Sequence, residues 1–130
     1  MAVDVERVRA IPLFADLGQE ELTWLGDRVS ERFVPEGASV TYEGVAGYAF
    51  FMIEDGEARV VHGDHEVRRL LPGETFGEAA ILGDGHRTAD VVAATDLDLL
   101  ALFGTQFREL QMELPDLAEK IQRTMELRRD

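Results

Sequence analysis

The chain has 130 residues, no cysteine, and 26 Asp and Glu against 13 Lys and Arg, a formal net charge of −13 at pH 7. This length suits one ordinary hydrophobic core; the lack of cysteine excludes disulfides, thiolate nucleophiles and cysteine metal sites, and the acid excess removes the clustered Lys and Arg on which nucleic-acid binders depend. No stretch approaches the roughly 20 apolar residues of a membrane-spanning helix, and the opening MAVDVERVRA lacks the basic start and apolar core of a secretory signal, so the expectation is a cytoplasmic chain with no membrane partner and no nucleic acid bound by this chain alone.

Residues 3–10 and 19–29 carry apolar side chains at three- and four-residue intervals, as at Leu22, Leu25 and Val29, with Pro12 and Gly18 interrupting the pattern. A short helical lead-in and then a helix are predicted. From Glu31 the period falls to two or to short apolar runs, and turn signals recur at Pro35-Glu36-Gly37, 44–47, Asp55-Gly56, Gly63-Asp64 and Pro72-Gly73. Strands are predicted over 31–34, 39–42, 48–54, 57–62 and 65–71, then over 86–94 and 97–102. Short strands at such spacing indicate an all-β sandwich or barrel. Helical periodicity returns over 105–112 and 115–129, where Pro115 suits a first helical position. There is no internal repeat, low-complexity tract or linker.

The stretch 76–93, FGEAAILGDGHRTADVVA, carries the chemistry. Phe76, Gly77 and Glu78 bring the backbone round a glycine that permits close approach of a ligand. Ala79 to Leu82 suit about one helical turn, whose free N–H groups and positive dipole end favour an anion. Arg87 follows the flexible Gly83-Asp84-Gly85, and its planar fork matches two phosphate oxygens at once. An ionised Glu78 only accepts hydrogen bonds, so beside a phosphate it suits a sugar hydroxyl. Acid and base thus divide a sugar phosphate between them. At long range the negative field opposes an anion, but it is screened beyond about 8 Å at physiological salt, so local donors decide binding.

These residues resemble the phosphate-binding cassette of cyclic-nucleotide-binding domains, of the catabolite-activator and protein-kinase-A regulatory-subunit type. In that family a Phe-Gly-Glu triplet and a later Arg-Ser/Thr-Ala run frame the cyclic phosphate and ribose. The matching positions are Phe76, Gly77, Glu78 and Arg87, Thr88, Ala89. Pro12-Leu13-Phe14, Gly37, Glu43-Gly44, the run from Gly56 to Val60, Leu71-Pro72-Gly73-Glu74 and the run from Leu114 to Ala118 fall in the family's order and spacing across nearly the whole chain. The resemblance implies a mainly β fold with flanking helices: a double-stranded β-helix (jelly-roll) barrel with N-terminal helices and C-terminal lid helices. It implies one domain over 1–130, with N-terminal helices in 1–30, the barrel in 31–103 with its cassette in 76–89, and a hinge and lid in 104–130.

The expected function is a cyclic nucleotide sensor, taking cAMP or cGMP as ligand with no cofactor, metal or catalytic residue, and gating a partner or fused effector through its C-terminal helices. The binding residues are Phe76, Gly77, Glu78, Ala79, Arg87, Thr88 and Ala89; a hydroxyl at Thr88 is compatible with guanine and with adenine. Ile81 occupies the position that in similar domains contacts the helix joining barrel and lid, where it would repack against Phe107, Leu110 or Leu114. Ile121, Met125 and Leu127 are apolar candidates to close over the base, with Ile81, Ile121 and Met125 taken as cap or switch residues; the competing reading makes all three helix residues plain core.

Several positions depart from the family pattern. His86 stands where proline is usual, Asp90 where Thr or Ser is usual, and Tyr48 and Ala49 where an acid and a small hydroxyl residue are common; Ala79 is smaller than the usual leucine. Strand alternation places Asp90 on the face opposite Arg87, towards solvent, whereas an inward Asp90 would repel the phosphate or hold the arginine in its place. Two other readings compete: a nucleotide-independent interaction module with a degenerate site, and a cupin-like metal enzyme. The latter needs an inward His-X-His pair, which the chain lacks; its one metal-like cluster, His62-Gly63-Asp64-His65, sits at a predicted hairpin turn.

Overall fold

The run AFFMIED has no polar residue before its last two positions, the pattern of a strand covered on both faces. In the computed structural model, which describes residues 3–40, 49–63, 65–77 and 90–127 (49 and 124–127 by backbone only), that run is β2 (Ala49–Asp55). It lies inside an antiparallel sheet ordered β1-β7-β2-β5, with β1 at Ser30–Val34, β5 at Thr75–Gly77 and β7 at Leu97–Phe103. A second antiparallel sheet has the order β4-β3-β6, with β3 at Ala58–His62, β4 at His65–Leu70 and β6 at Asp90–Ala93.

The first sheet buries both faces. Phe51 and Ile53 of β2 and Leu97, Leu99 and Ala101 of β7 meet Ala58, Leu70, Val91 and Ala93 of the second sheet in one core. Phe50, Met52, Leu100 and Leu102 point the other way, into a core shared with helices. Those helices are α1 (Val5–Arg9), a 3₁₀ turn at Pro12–Phe14, α2 (Gln19–Arg28), α3 (Gly104–Glu113) and α4 (Pro115–Leu127). Val8, Ile11, Phe14, Leu22 and Leu25 reach the cluster from the N-terminal side, Phe107, Leu110, Leu117, Ala118 and Ile121 from the C-terminal side.

Successive strands pass repeatedly from one sheet to the other, so the crossings need tight turns. At the β2–β3 crossing Gly56 has φ +91°, and a Cβ there would lie 2.2 Å from the Asp96 carbonyl oxygen; only glycine fits. The fold is mainly β with flanking helices, as the sequence implied. Three local differences have physical reasons. The lead-in helix stops at Arg9 and the chain turns as 3₁₀ through Pro12–Phe14, where proline removes a donor. A three-residue strand, β5, was not predicted because it is too short to show a period. Within 39–42, Ser39 forms only an isolated bridge to Val92, while 41 and 42 lie outside the described residues.

Candidate functional site

Strand β5 delivers the chain to the cassette. It pairs with β2 in the register Met52↔Thr75, Phe51↔Phe76 and Phe50↔Gly77. Thr75 is buried, and the ring of Phe76 stacks on Phe51 with centroids 5.1 Å apart and planes at 26°. Such a pair contributes about 0.5–1.5 kcal/mol beyond area burial, and it fixes the point from which residue 78 departs. Beyond the cassette, β6 begins at Asp90, which pairs with Val61 and is exposed. β5 therefore ends in the first sheet and β6 begins in the second.

Of the sequence-predicted ligand residues, Phe76 and Gly77 are described, as the last two residues of β5. Glu78, Ala79, Arg87, Thr88 and Ala89 lie outside the described residues, as do Ile81, His86 and Tyr48. The side chain of Met125 does too. His62 and His65 pair across the β3–β4 hairpin and are exposed, and among the described residues no three His, Asp or Glu side chains are grouped to hold a metal.

The C-terminal helices occupy a defined seat. Phe103 at the end of β7 donates its N–H to Gln106 Oε1 at 2.9 Å, which turns the chain into α3. Phe107 and Leu110 are buried, Leu114 packs against them, and Ile121 is fully buried in the same helix-side cluster. Ile121 is thus a core residue in this arrangement. Two ion pairs tie the seat to the N-terminal helices: Arg28 Nε to Glu109 Oε2 at 3.4 Å, and Lys120 Nζ to Asp16 Oδ1 at 3.0 Å. The Lys120 hydrogen bond holds the Asp16 carboxyl below its ordinary range. Helix α4 also approaches β5, the strand that carries Phe76 and Gly77. Neither ion pair was foreseen, because each joins residues far apart in the sequence.

The chain thus folds as two antiparallel sheets with helices packed behind the first, and residues 78–89, which include the acid and the arginine of the sequence motif, join β5 to β6. Residues 31–113 match the family model of the cyclic nucleotide-binding domain, and the chain belongs to that family. It is 38% identical over 117 residues to a cyclic nucleotide-gated potassium channel of Rhizobium etli, covering 90% of this chain and 33% of the channel. To the cyclic AMP receptor protein of Thermus thermophilus it is 34% identical over 119 residues, covering 88% of this chain and 55% of the receptor. The crystal structure of the Thermus thermophilus catabolite activator protein superposes with a TM-score of 0.77 at 33% identity, covering 90% of this chain and 57% of that one. A cyclic nucleotide-binding protein structure from Geobacter metallireducens shares the fold with a TM-score of 0.79 at 21% identity, covering 93% and 91%. The chain spans a third of that channel and about half of that receptor, and smaller shares of the kinase relatives it also matches. Among the described residues no helix is long and apolar enough to cross a membrane.

Proposed function

We propose that this chain is a single cyclic nucleotide-sensing domain, binding cAMP or cGMP through residues 76–89 and passing the bound state to an effector through its C-terminal helices. The observation that carries the reading is the family match across 31–113, which contains the Phe76-Gly77-Glu78 and Arg87-Thr88-Ala89 motifs, together with the β5 and β6 frame on either side of them. Relatives supply the ligand class: a cyclic AMP receptor protein, regulatory subunits of cAMP-dependent protein kinases and a cGMP-dependent protein kinase.

In this reading Arg87 and the free amides after Gly77 take the cyclic phosphate. Glu78 accepts from the ribose hydroxyl. Phe76, Ala79, Thr88 and Ala89 complete the wall, and Ile81 meets the α3 side. The lid comes from α4. Because Ile121 is buried against the N-terminal helices, capping of the base by Ile121 or Met125 requires α4 to leave its seat, and a ligand drives that only through differential affinity for the two positions. The effector lies in whatever partner or fused segment α3 and α4 touch.

Isothermal calorimetry on protein freed of nucleotide tests this. One site per chain is expected for cAMP, cGMP or both, and Arg87→Ala should weaken it by about 1.5–3 kcal/mol or more, the scale of a lost hydrogen bond to a charged group. A ligand at about 100 times its dissociation constant should stabilise the fold by about 2.7 kcal/mol. Neither heat nor a thermal shift with either nucleotide, in folded protein, refutes the sensor and favours the degenerate-site module.

A further inference from the structure

A cavity of about 450 Å³ opens on the helix-covered face of the first sheet, at the end away from the cassette, lined by Arg7, Glu31, Phe33, Glu54, Asp55 and Asp98, with Arg32 and Leu99. We propose that it is a docking pocket for an arginine side chain of a partner protein. Register builds it. Phe33 stands directly opposite Asp98, and Glu31 opposite Leu100, on the face that α1 covers only in part. Directly opposed side chains in an antiparallel pair lie close enough to touch, so the Asp98 carboxylate flanks the Phe33 ring. Phe33 is 60% exposed, whereas its neighbour Val34, on the opposite face, is buried between the sheets.

The pocket's charges are unevenly spent. Arg7 already grips the rim as a fork, Nε to Glu54 Oε2 at 2.9 Å and an Nη to Oε1 at 2.7 Å, with that Nη also 3.1 Å from Glu31. Both carboxylates hold the Arg7 guanidinium above its already high range, Glu54 first. Arg32 alternates to the other face and lies over Phe103, 5.9 Å from its centroid. Among the described residues Asp98 has no hydrogen-bond or ion-pair partner, and Asp55 accepts only the neighbouring Gly56 amide, at 3.0 Å. Two carboxylates beside an exposed aromatic face and an open cavity therefore lack a cation.

A guanidinium fits that gap by shape as well as sign. Its plane stacks on an aromatic face while its edge donates to carboxylates, as Arg28 does over Trp24 at 4.0 Å with Glu109 at its edge. An ammonium supplies the charge without the plane. No metal-ligand grouping exists among the described residues, and the chain's net charge of −13 steers a basic partner towards the surface.

The test is an NMR titration of the ¹⁵N-labelled full chain, to millimolar concentration, with a short capped alanine peptide carrying one central arginine, and with its lysine and citrulline counterparts. Saturable shifts are expected at the amides of 31–33, 54–55 and 97–99, weaker with lysine and absent with citrulline. Asp98→Asn and Phe33→Ser should each weaken the arginine peptide about tenfold, the size of one charge-assisted or cation–π contact. Both side chains are exposed, so the melting temperature should hold; if one variant does not fold, Asp55→Asn takes its place. Absent shifts, unsaturable shifts spread over the acidic surface, equal binding of citrulline, or an unaffected Asp98→Asn would each overturn the proposal.

Discussion

Truncating Ile121 to alanine separates the two roles open to α4. The side chain is fully buried among Phe107, Leu110, Leu117 and the N-terminal helices. Removing three carbons forfeits about 2.4 kcal/mol of transfer free energy at about 0.8 kcal/mol each. If the cluster does not relax, a void of roughly 75 Å³ adds about 1.8 kcal/mol at about 24 cal/mol per Å³. Ile121→Ala should therefore cost about 2.5–4 kcal/mol of stability, read by urea unfolding with the sole tryptophan, Trp24, which packs on the same cluster, as the fluorescent probe. A cost below about 1 kcal/mol with an unchanged urea slope would refute the seat itself.

The same variant tests the gating. If nucleotide binding draws Ile121 out of this cluster, the substitution lowers the cost of reaching the bound state by what it removed from the seat. Apparent nucleotide affinity then rises, by up to about 50-fold for about 2.4 kcal/mol. Leu97→Ala is the control, since Leu97 is fully buried between the sheets and away from the helices; it should destabilise comparably and leave affinity unraised. Unchanged affinity in Ile121→Ala alongside the full loss of stability means that α4 keeps its seat when the nucleotide binds, and the lid mechanism with Met125 as the cap fails.

Gly56→Ala should destabilise by about 3 kcal/mol or more, combining about 1–3 kcal/mol of left-handed strain with a clash against the Asp96 carbonyl. Gly37→Ala, at φ +87° with nothing within 4 Å of the added Cβ, should cost only the strain; equal losses in urea unfolding would show that the crossing is not as tight as described. The Asp16 carboxyl should titrate below the ordinary aspartate range by NMR, and Lys120→Gln should raise it towards that range. With its folded pKa depressed, Asp16 contributes stability above its unfolded pKa and loses it as pH falls through the lower folded value. An Asp16 that titrates normally in the parent chain would refute the α4 tie.

The sequence shows most of the fold because two strands carry it. β2 and β7 are apolar on both faces over 50–53 and 99–102, so they read as short apolar runs. Helices read from spacing at Leu22, Leu25 and Val29. Spacing stops short of function, however: an apolar residue every three or four positions marks a face without saying what covers it, so Ile121 as core and Ile121 as cap look alike until the seat is seen. Contacts across the chain are silent in a single sequence. The Arg28–Glu109 and Asp16–Lys120 pairs, and Phe33 beside Asp98, depend on register and docking rather than on neighbours in the chain. The cassette reads as a motif because it is local, a glycine, an acid and an arginine within 77–87, while the placement of Glu78 and Arg87 lies outside the described residues.

The frame around that crossing also limits how a ligand's pull can spread. β2 is held by ladders on both sides, to β7 and to β5, and is packed on both faces, so displacing it breaks several contacts at once. Close-packed interiors resist such shifts. β5 differs: among the described strands it ends its sheet, it pairs with β2 through three residues, and it lies next to α4. Its Phe76–Phe51 stack is one anchor beside the β2 ladder and the buried Thr75. In the proposed mechanism a pull at residue 78 would therefore meet least resistance along β5, which lies next to α4, and would not have to pass through the middle of the sheet. Phe76→Leu, which keeps apolar bulk and removes the stack, should then change how strongly nucleotide binding loosens α4, seen as altered hydrogen exchange of α4 amides, while those of β7 keep their protection. Equal loosening of β7 and α4 would mean that the pull runs through the sheet.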